Sequence, residues 1–218
     1  MGDWINLTAA DGHSLSAYIS KGKGPSKGGI VLVQEIFGVN DHIQSLCERY
    51  AKCGYTVIAP ALFDRMEKNV ILDYDATGLK KGLHLKHSLD DRTALLDIEA
   101  AKDHIQSVGV ISVIGFCWGG TLAYLTACNG SGFSKAVCYY GGGIAPLKDE
   151  QPQIPILLHF GDQDTSIPLV DVDAIMNARP EAQTYLYQAE HGFNCDKRGS
   201  YNAPAAKLAL SRTLDFIG

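Results

Sequence analysis

Val110-Ile-Ser-Val-Ile114 runs straight into Gly115-Phe-Cys-Trp-Gly-Gly120. The first five residues are almost wholly apolar, as expected of a strand buried on both faces of a parallel sheet. The next six place a cysteine between Gly115 and Gly119, ahead of a stretch that reads as helix to about Cys128. A tight strand-to-helix turn is therefore expected, with Cys117 at its apex in a strained backbone conformation and the glycines leaving room for crossing chains.

The rest of the chain alternates in the same way. Trp4 to Thr8 and Leu15 to Ile19 flank Asp11-Gly12 and read as an opening hairpin. Buried strands are expected at Ile30–Val33, Thr56–Ala59, Ala136–Tyr140 and Ile156–His159, with a further strand at Thr184–Tyr187. Ile43, Leu46, Cys47, Tyr50 and Ala51 fall at helical spacing and stop at Gly54. Further helices are expected near 170–178 and from about Ala203. Ser88 with Asp91 reads as the cap of a long amphipathic segment reaching Val108. Residues 64–88 are polar, show no convincing helical face, and read as a lid over a cleft. The whole, residues 1–218, reads as one α/β domain, a doubly wound, mostly parallel sheet with helices on both faces.

Composition agrees and narrows the function. The 218 residues are 46% hydrophobic and 20% charged, which excludes a disordered or collagen-like chain. The net charge of −5 argues against nucleic acid or an anionic membrane as a partner. The six cysteines form no C-x-x-C pair, so free thiols in a reducing compartment, the cytoplasm, are expected. The N-terminus shows no signal peptide and no myristoylation pattern, and no apolar run spans a bilayer. The glycine-rich stretch Lys21–Gly29 precedes a strand, whereas a phosphate loop must follow one.

In doubly wound sheets ligands gather beyond the carboxyl ends of the strands. Three chemically active side chains fall there, in the order nucleophile, acid, base. Cys117 follows the central strand. Asp164 follows Ile156–His159, in Gly161-Asp-Gln-Asp164. His191 follows Thr184–Tyr187, in Glu190-His191-Gly192-Phe193. A cysteine near its ordinary pKa of about 8.5 is mostly protonated at neutral pH. A histidine takes that proton, and a carboxylate holds the imidazole in the right tautomer. Asp164 is preferred to Asp162 because Thr165-Ser-Ile-Pro168 turns its loop back. His191 is preferred to His159, which lies within an apolar strand. Glu35 also follows a strand directly and could accept a hydrogen bond from the Cys117 thiol. The N–H groups of Trp118 and Ile36 are the expected oxyanion donors.

These residues resemble the dienelactone hydrolase family of the α/β-hydrolase fold. The resemblance is carried by Val33-Gln-Glu-Ile-Phe-Gly-Val-Asn40, Gly115–Gly120, Tyr139-Tyr140-Gly141, Gly161–Asp164, His191-Gly-Phe193 and Arg212–Phe216, and it covers nearly the whole chain. It implies a Cys117–His191–Asp164 triad, Glu35 beside the cysteine, and an oxyanion hole at Ile36 and Trp118. It implies cleavage of a small ester or lactone, including anionic ones, without metal or other cofactor. Phe37, Tyr140, Phe193, Arg65 and Lys81 are the candidate substrate contacts. Family members that act on dienelactone hold its carboxylate with arginines, one of them four residues after the catalytic histidine. Here Cys195 occupies that place, and Arg65, Lys80, Lys81 and Arg198 are the cations that could replace it.

Two other patterns point less far. His84-x-x-His87 with Asp90 and Asp91 lacks the closed four-ligand pattern of structural zinc. A thiol redox sensor built on Cys117 would need a resolving cysteine, and none is adjacent in sequence. The chain is expected to act as a monomer or weak oligomer.

Overall fold

The computed structural model describes residues 2–218; Met1, where the N-terminal reading begins, lies outside them. β1 (Asp3–Thr8) and β2 (Ser14–Ser20) form the expected antiparallel hairpin. β3 (Gly29–Val33), β4 (Thr56–Pro60), β5 (Ile111–Phe116), β6 (Lys135–Tyr139), β7 (Ile156–Gly161) and β8 (Gln183–Tyr187) pair in parallel. The sheet has eight strands in the order β1-β2-β4-β3-β5-β6-β7-β8, with β2 antiparallel to β4. Every residue of β3, β4, β5 and β7 is buried, whereas the edge strands β1 and β8 are partly exposed. A strand covered on both faces has no polar side to show, which is why the central runs are apolar without alternation.

Among the described residues, six α-helices complete the fold: α1 (Asp41–Lys52), α2 (Ala76–Ser88), α3 (Asp91–His104), α4 (Trp118–Asn129), α5 (Leu169–Ala178) and α6 (Ala203–Ile217). Successive side chains of a strand point to opposite faces. On β5, Phe116 stacks on Tyr139, whose hydroxyl meets Thr213 of α6 at 2.7 Å. Its neighbour Gly115 lies against the backbone of α4. Helices α4 and α6 therefore cover opposite faces.

Two expectations fail between β4 and β5. Residues 76–88 are helical, begun by Asp75, whose carboxylate accepts from the Gly78 N–H at 2.7 Å. The next helix is capped by Asp90, not by Ser88, which ends α2 and donates to the His84 carbonyl. An apolar face over a half-open cleft is narrower than one packed on a core, so α2 carries a weaker periodic signal than α1.

Candidate active site

The turn after β5 is as tight as its sequence implies. Cys117 has φ +55° and ψ −117°, a conformation that costs a non-glycine residue on the order of 1–3 kcal/mol. Its N–H donates to the Tyr139 carbonyl, and its own carbonyl accepts from Gly120 and Thr121. A methyl group on Gly115 would lie 1.8 Å from the Gly119 carbonyl oxygen, and one on Gly119 would lie 2.4 Å from the carbonyls of Val33 and Gln34. Only glycine lets β3 and its loop close on this turn. That loop carries Ile36, and Ile36, Cys117, Trp118 and His191 all line one cavity of about 560 Å³. Trp118 opens α4, where an amide N–H has no acceptor within the helix.

The two remaining polar partners arrive from β7 and β8. After Gly161, Asp162 and Gln163 bond back to Tyr187 and Ala189, which sets the start of the Asp164 loop. Oδ1 of Asp164 accepts from the Ser166 and Ile167 amides at 2.8 and 3.1 Å, leaving Oδ2 for His191 Nδ1 at 2.7 Å. Nε2 of His191 lies 3.2 Å from Cys117 Sγ. Ser200 donates to the His191 carbonyl at 2.7 Å and secures that loop. Burial opposes a charged His191 ring, but its hydrogen bonds to Asp164 and Cys117, with their charges, outweigh this and lift it to about 10. Asp162 is exposed, and His159 is buried between Tyr187 and Thr213 hydroxyls, away from the cavity.

The segments after β5, β7 and β8 thus bring a strained cysteine, a buried aspartate and a histidine together beyond the ends of parallel strands. The dienelactone hydrolase family model matches residues 15–218. The chain belongs to the dienelactone hydrolase family. Over 225 residues it is 33% identical to a carboxymethylenebutenolidase of Pseudomonas putida, covering 98% of this chain and 94% of that one. A Synechocystis relative is 38% identical over 203 residues, 84% of this chain and 82% of that one. A crystal structure from Klebsiella pneumoniae superposes with a TM-score of 0.84 at 29% identity, covering 99% and 98% of the two chains. As a member of this family, the protein is a hydrolase of the α/β-hydrolase fold.

Other sequence-based expectations need correction in this member of the family. Glu35 is fully buried, but its carboxylate accepts from the Tyr74 hydroxyl at 2.7 Å, and the Cys117 thiol meets His191 instead. Arg65 is held in ion pairs with Asp97 and Asp11, and Lys81 with Glu67, so neither reaches the cavity. Lys80 is exposed outside it, and Arg198 lies over Tyr74. Phe37, Tyr140 and Phe193 are buried and do not line the cavity; Tyr140 instead sets its ring edge-on to His191, centroids 5.1 Å apart. The lining that sequence reasoning missed includes three residues of α2: Leu79, Leu83 and Lys86. Their spacing of four and three residues is one helix face, and Asp75 is a good cap, so the signal was present. Asp91 also faces the cavity and accepts from the Trp118 indole at 3.0 Å.

Proposed function

We propose that the protein cleaves a small carboxylic ester or lactone through a thioester on Cys117. The observation that carries this reading is the continuous relay Asp164 Oδ2–His191–Cys117 Sγ at 2.7 and 3.2 Å, opening on a mainly apolar cavity. With His191 lifted to about 10, its ring is favoured as imidazolium near neutral pH, the form that steadies a Cys117 thiolate as it forms. The thiolate adds to the carbonyl carbon, and the Ile36 and Trp118 N–H groups take the developing oxyanion. Each such donor is worth about 2.7–4 kcal/mol of barrier. The carbon–oxygen bond breaks, and His191 gives its proton to the leaving alkoxide. In a lactone that alkoxide stays tethered to the acyl group. Acylated sulfur carries no charge, so the pull of Cys117 on the ring is lost and neutral His191 becomes accessible. It then takes a proton from water as the hydroxide adds to the thioester, and collapse returns the thiolate and releases the acid. Glu35 takes no step in this scheme.

The substrate is read from the cavity. Leu79, Leu83, Trp118 and Leu147 suit an apolar ring or short chain, and Lys86 is the cation among the described lining residues. A small ester or lactone with a carboxylate near Lys86 fits, with α2 as the cover over the cleft. Names among the relatives support this class: carboxymethylenebutenolidase acts on a lactone of this kind. Free cysteines throughout fit action in the cytoplasm. The test is turnover of p-nitrophenyl acetate and a dienelactone, with intact mass after rapid quench. Wild type is expected to turn over and to carry the acyl group on Cys117; Cys117→Ala and His191→Ala are expected to lose activity by at least about 10³-fold. Equal rates in all three proteins would remove the reading.

A further inference from the structure

Outside the Cys117 cavity, two buried donor atoms without hydrogen-bond partners belong to one cluster. Glu35 follows β3, His42 lies in the first turn of α1, and Cys195 sits in the loop between β8 and α6. Each offers one ligand atom, and these atoms lie within 4.8 Å of one another. The three residues are 0%, 1% and 0% exposed in that order. Glu35 Oε1 and His42 Nε2 are both buried with no hydrogen-bond partner. Their orientation is imposed from behind. Tyr74 donates to the other carboxylate oxygen, Oε2, at 2.7 Å. Asp196 Oδ1 lies 3.2 Å from His42 Nδ1, which holds the ring proton there and leaves the Nε2 lone pair facing the cluster. A carboxylate behind the far ring nitrogen is the usual support of a metal-bound histidine. A dry carboxylate oxygen and a dry imidazole lone pair are costly.

We propose that Glu35, His42 and Cys195 form a binding site for a zinc-like divalent ion. Carboxylate, imidazole and thiolate are the donor types zinc accepts, and three protein ligands leave a fourth position for water. Binding exchanges the Cys195 S–H bond for a metal–sulfur bond and releases that proton to solvent. A cavity of about 410 Å³ lined by Asn40, His42, Tyr74 and Lys197 offers a route from outside. Arg198 Nη1 lies 3.9 Å from Oε1, beyond hydrogen-bond reach, and its side chain is 25% exposed, so it can turn outward as the ion enters. None of the three ligands lines the Cys117 cavity. The ion would tie the loop carrying Ile36 to the loop carrying His191, and the inference does not depend on the hydrolytic reading.

Cobalt(II) is the probe. The reduced full chain, stripped with a chelator and then freed of it, is titrated with Co²⁺ and back-titrated with Zn²⁺. One equivalent is expected to bind with a thiolate-to-cobalt charge-transfer band, release about one proton per ion, and be displaced by zinc. Cys117→Ser is expected to keep the band, which separates this site from the Cys117–His191–Asp164 set. Cys195→Ser is expected to lose it. Asp196→Asn, with a side chain 44% exposed and little reason to unfold, is expected to weaken affinity by about 10–100-fold. No band in the wild type, a band that survives Cys195→Ser, or an affinity untouched by Asp196→Asn would each overturn the proposal. Ester turnover measured on the same samples reports separately on Cys117.

Discussion

His159 and His191 are both withdrawn from water, and each packs against one of two consecutive tyrosines, Tyr139 and Tyr140. Their rings nevertheless titrate in opposite directions. His159, inside β7, is pushed down to about 3 by burial and then by the charge of Arg212. Burial also opposes charge on His191, yet that ring is lifted to about 10 because it lies past the end of β8, between a carboxylate and a thiol. A strand interior offered His159 only hydroxyls, from Tyr187 and Thr213. The space beyond the strand ends is where loops from β5 and β7 bring acidic groups to one point. Burial alone does not make a reactive histidine; position along the strand decides which partners meet it.

The contrast is broken most severely by Asp164→Asn. The amide can donate where the carboxylate accepted, so His191 takes the wrong tautomer and kcat/KM is expected to fall by about 10⁴-fold. The same change should return the ring toward its ordinary pKa, readable by NMR. His159→Phe acts on the other side. It leaves the buried Tyr187 hydroxyl without its partner and is expected to cost about 1–3 kcal/mol in chemical denaturation, with activity per folded molecule intact.

The pH dependence of stability should separate the two rings further. His191 has a raised pKa, so its contribution is complete below about 6.5 and is lost as pH climbs toward about 10. His159 has a lowered pKa, so its contribution is complete above about 6.5 and is lost as pH drops toward about 3. His159→Phe is expected to flatten the acid limb of the stability profile and Asp164→Asn the alkaline limb. Unchanged limbs would mean that other groups govern them.

Smaller effects probe the strand end itself. Cys117 has a positive φ, so Cys117→Gly is expected to be more stable than Cys117→Ala by about 1 kcal/mol, the reverse of the ordinary order. Lys86→Met is expected to raise KM only several-fold for an ester bearing a carboxylate and to leave a neutral ester unaffected, because a half-exposed charge contributes roughly 0.2–1 kcal/mol.

The sequence alone determined the sheet, because a strand covered on both faces must be apolar throughout, as Ile30–Val33 and Val113–Ile114 are. It also pointed to where Cys117, Asp164 and His191 would stand, since each lies in the loop after an expected strand and parallel strands deliver their ends to one edge. It did not determine which cation would face the cavity. Arg65 and Lys81 were plausible by charge, yet ion pairs with Asp97, Asp11 and Glu67, distant in sequence, hold them elsewhere. Nor did it determine the surroundings of Glu35. Tyr74, His42 and Cys195 reach that carboxylate from three separate segments, and only the folding of those segments onto one another brings their side chains within ångströms. Local pattern records what a residue needs from its own strand or helix; partners across the chain are chosen by packing.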